Sequence, residues 1–318
     1  MHQATGQAQP QKELGARARQ CDDGPKGGGA MRGLREVLQE AGRRRVAVGH
    51  FNFAELVVLK AAAEAAGELG VPVVMGVSES EREFLGVRQA AALVHSMREE
   101  GGREIFLNAD HTHSIEKAEE AARAGFDMIV FDASEKPLEE NIAETRRGVE
   151  AVKSMRPWIL VEGEVGYVGS GSEIHDKRPD NIRLTEPEEA REFVAETKVD
   201  LLSPSVGTTH GMLKSMIQGM ERKRLDIQRI AAIKKIAGVP LTLHGGSGTD
   251  NQDFSEAIEA GIAMIHINTE LRVAWRRGLE ESLRKEAGSV APYKVLPDVV
   301  RSVKAVVIER LRLFNGQL

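Results

Sequence analysis

A single cysteine, Cys21, in 318 residues leaves no partner for an intrachain disulfide, and a reducing cytoplasm fits that usage best. No run reaches the roughly 18 apolar residues needed to cross a bilayer. Neither sign of charge is in large excess, and a net charge of -5 gives no reason to expect nucleic acid or an anionic membrane as partner. The first thirty residues, "MHQATGQAQPQKELGARARQCDDGPKGGGA", have almost no large apolar side chains and no apolar centre of a secretory signal. Such a segment cannot bury enough surface to offset chain entropy, so residues 1–30 are expected to be a disordered extension of a domain spanning 31–318. Met31 follows "GGGA", opens a helix-like segment, and is a candidate start of translation. Also missing is a Gly-x-Gly-x-x-Gly after the first apolar run, which argues against a doubly wound dinucleotide-binding sheet.

What is present is regular. With 41% hydrophobic and 29% charged residues, the composition is that of a globular chain with a full core. Eight apolar, β-rich runs occur in order: "VAVGHFNF" (46–53), "VPVVMGVS" (71–78), "EIFLNADH" (104–111), "DMIVFDAS" (127–134), "WILVEGEV" (158–165), "LLSPSVG" (201–207), "VPLTLHGG" (239–246) and "IAMIHINT" (262–269). Amphipathic segments separate them, for example "SIEKAEEAARAG" (114–125), whose terminal glycine is a helix stop signal. Strands apolar over most of their length, alternating with helices, imply βαβ units around a parallel sheet. Eight of them predict an α/β TIM barrel, a (β/α)₈ fold, and "VLPDVVRSVKAVVIERLRLF" (295–314) adds a C-terminal helix.

In that fold the C-terminal strand ends line the active site. Asp110 and His111 end the third run, His210 follows the sixth in "VGTTHGMLK", and His244 ends the seventh in "LTLHGGSG". Three imidazoles converging on one mouth, with a fourth position open, make the arrangement of a catalytic zinc. The competing reading is a set of hydrogen-bonded spectators. Asp132 ends the fourth run, and Glu162 and Glu164 share one face of the fifth, where a metal or a monovalent ion, or a salt bridge across the mouth, would offset their charge. The glycine-rich "GYVGSGSEIHDKRPDN" (166–181) reads either as a mobile lid carrying Glu173 or His175, or as an ordinary surface loop. "HGGSGTD" (244–250) and "INTELR" (267–272) sit after strands seven and eight, the usual phosphate cradle of this fold.

Taken together, "NADH", "VFDAS", "EGEVG", "THGMLK", "LHGGSG" and "INTELR", in this order and spacing, resemble the class II, metal-dependent fructose-bisphosphate aldolase family, which includes tagatose-bisphosphate aldolases. The resemblance runs from about Val46 to Phe314. It implies a carbon–carbon lyase that releases dihydroxyacetone phosphate, with one zinc ion per subunit held by His111, His210 and His244. It further implies that Asp110 exchanges the proton at the cleaved bond, that Asp132 and Glu164 lie near the metal, and that Glu173 moves a proton on the dihydroxyacetone phosphate carbon. Gly211, Lys214, Gly245, Ser247, Asn268 and Thr269 match groups around the first phosphate and a neighbouring Na⁺ or K⁺. Asn52 and Ser78 match substrate-side positions, and Arg272 falls where some members use an adjacent subunit's arginine for the second phosphate.

The resemblance also implies a homo-oligomer, dimer or tetramer. There are departures: His266 stands where the family usually has an asparagine, and Asn268-Thr269-Glu270 replaces Asp-Thr-Asp. His50, His113 and a lid poor in acidic residues are likewise uncommon choices, and they point to a branch with its own acceptor aldehyde. Two alternatives follow: a tagatose-bisphosphate or related phosphoketose aldolase, and a metal-retaining phosphosugar-binding protein without catalysis.

Overall fold

The eight apolar runs form eight strands: β1 (Val48–Asn52), β2 (Val73–Val77), β3 (Ile105–Thr112), β4 (Met128–Phe131), β5 (Leu160–Val165), β6 (Leu201–Pro204), β7 (Leu241–Leu243) and β8 (Ile262–Ile267). Hydrogen-bonded neighbours run β1-β8-β7-β6-β5-β4-β3-β2 and close back on β1, every pair parallel, so the sheet is the barrel that the alternation predicts. The structure is a computed structural model describing residues 31–169, 171–177 and 182–317; the expected disordered extension, with Cys21, lies outside the described residues. Arg32–Leu318 form one compact unit.

Alternate residues of each strand point into the barrel. At its N-terminal end these are apolar. Val48, Val74, Phe106, Met128, Leu160, Leu201 and Met264 form one buried cluster with Leu34, Val37, Leu38 and Ala41. The last four lie at i, i+3, i+4 and i+7 of the helix Leu34–Arg44, so its single apolar face plugs the barrel floor. The Glu36 carboxylate accepts the Gly33 N–H at 3.1 Å and fixes where that helix begins. At the other end of the chain, the helix Pro292–Phe314 begins slightly before the expected 295, with Pro292 in its first turn. It buries Val299, Val303, Val307 and Leu311, spaced four apart, as it packs on the helices Leu56–Leu69 and Thr269–Lys285.

One step up the barrel the interior turns polar. His50, Asn108, Glu162 and Thr242 are completely buried. The Asn108 side-chain amide lies 2.9 Å from Nε2 of His50, and the Thr242 hydroxyl donates to Oε1 of Glu162 at 2.6 Å. The His50 ring stacks on His266 with centroids 3.6 Å apart. Gly76 makes room for it: a Cβ there would come within 2.1 Å of His50 Cε1. Gly76→Ala is therefore expected to cost about 1–3 kcal/mol, the usual range for overpacking a filled core. Thermal unfolding checks this, and an unchanged melting temperature would mean that the imidazole can swing aside.

Candidate active site

The polar interior leads to the C-terminal rim, where three histidines meet. His111 occupies the third strand at an irregularity: the register with β4 shifts between Ala109 and Thr112. Its φ of 43° is in the left-handed region, unusual for a residue with a Cβ and a mark of stored strain at functional positions. The Arg82 guanidinium supports this turn, donating to Val77 O at 2.6 Å, Asp110 O at 3.2 Å and the Thr112 hydroxyl at 3.0 Å. His244 immediately follows β7. His210 sits in the loop after β6, its N–H donating to Val168 O at 2.8 Å.

Two of the rings are oriented from behind. Nδ1 of His111 lies 2.8 Å from Asp132 Oδ2, and Nε2 of His244 lies 2.8 Å from Glu162 Oε1. Their other nitrogens, His111 Nε2 and His244 Nδ1, approach to 3.3 Å. Two ligands about 2.1 Å from one tetrahedral ion stand about 3.4 Å apart, so this spacing suits a shared cation. Nε2 of His210 is buried and has no hydrogen-bond partner among the described residues. Glu164 Oε1 lies 3.2 Å from Nδ1 of both His111 and His244. One ligand atom from each of these four residues lies within 4.8 Å of the rest, so the group can hold a metal ion. Carboxylates behind ligand histidines are what fixes tautomer and ring orientation at such centres.

The charges are strongly coupled. Burial opposes a proton on His111, but Asp110, Glu164 and Asp132 outweigh it and hold its pKa well above the ordinary value. Burial likewise opposes a charge on His244, yet Glu164 and Glu162 raise it to about 9. Burial, with the Asp132 charge, lifts Glu164 to about 7. Burial and the two neighbouring histidines keep His210 well below its usual value. The site thus concentrates carboxylates and desolvated imidazoles that a divalent cation would satisfy together.

Most of the other residues singled out from the sequence meet here. A cleft of about 620 Å³ is lined by Asn52, Ser78, Asp110, His111, Asp132, Glu173, His210, Asn268 and Arg272. A recess beneath it adds Gly211, His244, Gly245, Ser247, His266 and Thr269. Asp110 accepts from the Asn52 amide at 2.8 Å through Oδ2, while Oδ1 is buried without a hydrogen-bond partner among the described residues. Ser247 accepts the N–H groups of Asn268 (3.2 Å) and Glu270 (3.3 Å), joining the β7 loop to the helix Thr269–Lys285. Glu173 stands at the mouth with its side chain 76% exposed. Its loop is tied down by a two-residue parallel pairing of Ile174–His175 with Met212–Leu213.

Lys214 departs from the pattern. It pairs with Asp176 at 2.7 Å, is 64% exposed, and lines neither cleft nor recess. Arg272 lines the cleft of its own chain, held by Glu81 at 2.8 Å and by Ser172 O at 3.2 Å.

Two buried residues escaped the sequence reading. Glu81 joins Arg272 to the Asn52 amide (3.0 Å) and the Ser78 N–H (2.8 Å). Its one signal is the Ser78-x-x-Glu81 capping box. Lys223 lies in the charge run "ERKR" and carries no motif.

A closed parallel barrel with histidines and carboxylates gathered at its C-terminal rim defines a (β/α)₈ enzyme. Residues 32–317 match the family described as "Fructose-bisphosphate aldolase class-II". The chain is 32% identical over 286 residues to the fructose-bisphosphate aldolase of Geobacillus stearothermophilus, covering 89% of this chain and 96% of that one. A fructose-bisphosphate aldolase of Staphylococcus aureus is likewise 32% identical, with 89% and 96% covered. Among solved structures, the YdjI aldolase of Escherichia coli K12 superposes with a TM-score of 0.75 at 27% identity, covering 89% of this chain and 97% of that one. The chain therefore belongs to the class II fructose-bisphosphate aldolase family and is an aldolase, a lyase.

Proposed function

We propose that the protein reversibly cleaves a ketose 1,6-bisphosphate, with fructose 1,6-bisphosphate first in line, to dihydroxyacetone phosphate and an aldehyde such as glyceraldehyde 3-phosphate. The observation carrying this is the set of three imidazoles, each with a ring nitrogen within 4.8 Å of the others and of a Glu164 oxygen, His111 and His244 being backed by Asp132 and Glu162. A three-nitrogen donor set favours zinc, one ion per chain. His111, His210 and His244 would hold it, with Asp132 and Glu164 close by. When bound, the ion polarises the substrate carbonyl as a Lewis acid, so no lysine Schiff base is needed.

The protein's own groups do the rest. Asp110, with one oxygen held by Asn52 and the other free, takes the proton of the C4 hydroxyl as the C3–C4 bond breaks. The electrons pass to the carbonyl to give the enediolate. Glu173, at the mouth, then delivers a proton to C3. Gly211, Gly245, Ser247, Asn268 and Thr269 line the recess that receives the C1 phosphate at a helix N-terminus, and His266 forms its floor. Binding energy from that phosphate aligns the reacting carbons. The same reading includes a cytoplasmic homo-oligomer, a dimer or tetramer, with no nucleic-acid partner. No described helix is long and apolar enough to cross a membrane.

One observation favours the second reading, a related phosphoketose aldolase. The outer cleft is lined by Glu79, Glu83, Glu135 and Glu144. Of the cations beside them, Lys136 pairs with Glu144 and Arg272 with Glu81. Such a wall suits hydroxyl donors better than a second phosphate. A coupled assay across fructose and tagatose bisphosphates and ketose 1-phosphates, with and without chelator, tests both. Cleavage is expected to vanish on chelation and return with zinc. Cleavage that survives complete metal removal overturns the mechanism, and faster turnover of a monophosphate transfers the assignment to the second reading.

A further inference from the structure

Beneath the recess, the loops after β6 and β7 turn backbone carbonyls toward one another. The ammonium of Lys223 sits between them, donating to Thr209 O at 2.5 Å, Gly211 O at 2.7 Å and Gly245 O at 2.9 Å. The residue is only 3% exposed. Its own backbone is pinned, with its N–H donating to Gly248 O at 2.9 Å and its carbonyl accepting the Asp250 N–H at 3.2 Å. Gly211 and Gly245 both have left-handed φ angles, 73° and 63°, and a Cβ on Gly245 would come within 2.6 Å of Thr209 O. These two glycines line the recess, whereas Lys223 does not. The lysine therefore holds the loops from behind.

Converging backbone carbonyls attract a cation, and a carbonyl cage of this kind replaces the hydration shell of a free K⁺ where one binds. A primary ammonium fills the same role while being delivered by the chain, and each of its bonds is charge-assisted. We propose that Lys223 is a tethered cation that positions the phosphate-binding loops, so that the enzyme works without Na⁺ or K⁺. The ammonium fixes the carbonyl faces of Thr209, Gly211 and Gly245, and so presents the opposite faces of both loops to the anion. His210 and His244 are the immediate neighbours of these carbonyls, so the same ammonium also sets the spacing of two of the three rim histidines. The inference rests on the reading of the recess as the C1-phosphate site.

The test compares the full chain with Lys223→Met, which keeps the stem and loses the charge, and with Lys223→Ala, which leaves room for a free cation. Cleavage is measured in tetramethylammonium buffers with and without added K⁺ or NH₄⁺, alongside zinc content and melting temperature. The wild type is expected to be indifferent to K⁺. Lys223→Met should raise KM for the phosphorylated ketose about tenfold or more, as expected for losing charge-assisted bonds. Lys223→Ala should regain part of the loss when NH₄⁺ or K⁺ is added. Calorimetric titration with inorganic phosphate makes the same comparison without turnover. A wild type stimulated several-fold by K⁺ overturns the proposal even if neither variant folds. Unchanged KM and phosphate affinity in a folded Lys223→Met also overturns it. A wild type that binds phosphate but cleaves no ketose on the panel sinks the proposed ketose-bisphosphate reaction instead, and leaves the phosphate comparison to decide this one.

Discussion

His210→Ala is expected to leave a folded barrel that neither retains metal nor cleaves substrate. The side chain belongs to a loop rather than to a strand, and its ring contacts are the edges of His111 at 4.8 Å and His244 at 6.0 Å between centroids. Removing it costs little packing. It takes away the one nitrogen of the His111, His210 and His244 trio that is buried without a hydrogen bond among the described residues, leaving two imidazoles and Glu164 around a site suited to three nitrogens and an open position. Metal measured by elemental analysis should fall from about one ion per chain to a small fraction, and turnover by orders of magnitude, because in the proposed mechanism the ion's polarisation of the carbonyl would lower the barrier by several kcal/mol. A variant that keeps its metal yet is inactive would remove His210 from the ligand set. Since burial and its neighbours already keep His210 neutral, its loss should not change the charge that the remaining carboxylates face.

The parts of the molecule that were legible in the sequence are those whose signal is local. The barrel could be read because its strands are apolar runs separated by helices, and the rim could be recognised because His111 and His244 interrupt apolar runs at their C-terminal ends. What stayed hidden depends on contacts between distant segments. The segment opening at Met31 reads as helix-like, but nothing local says that the apolar face of the helix Leu34–Arg44 meets Phe106, Met128 and Leu160 inside the barrel. Glu81 reads as a capping residue, and its second role appears only when Arg272, 191 positions away, comes within 2.8 Å. Lys223 looks like one charge in a solvated run, because backbone carbonyls leave no trace in a sequence. Lys214 fails in the opposite sense: it lies in a well-formed motif, but at the start of a short helix it pairs with Asp176. His111 could be named, whereas its left-handed backbone and the Arg82 brace beneath it could not.

Asp110→Asn separates the proton step from metal binding, and it is the sharper test of mechanism. Asparagine keeps the shape of the side chain and lets the Asn52 contact re-form through its carbonyl oxygen. Asp110 stands outside the group of four that can hold the ion, so metal content is expected to stay near that of the wild type. Burial opposes ionisation of Asp110, but the adjacent His111 charge, with His266 3.5 Å away and His50 nearby, holds its carboxyl well below the usual carboxylate range. The group is therefore a carboxylate at neutral pH, ready to accept a proton. Losing it should lower kcat by about 10²–10⁴, the usual contribution of a positioned base. Proton exchange at C3 of dihydroxyacetone phosphate, which the proposed reaction assigns to Glu173 and which involves no proton at C4, should survive. That split is the diagnostic: exchange and cleavage falling together would mean that Asp110 acts by organising the site. Near-normal cleavage would instead move the base to His266, the nearest titratable ring on the recess floor, whose two nitrogens have no hydrogen-bond partner among the described residues.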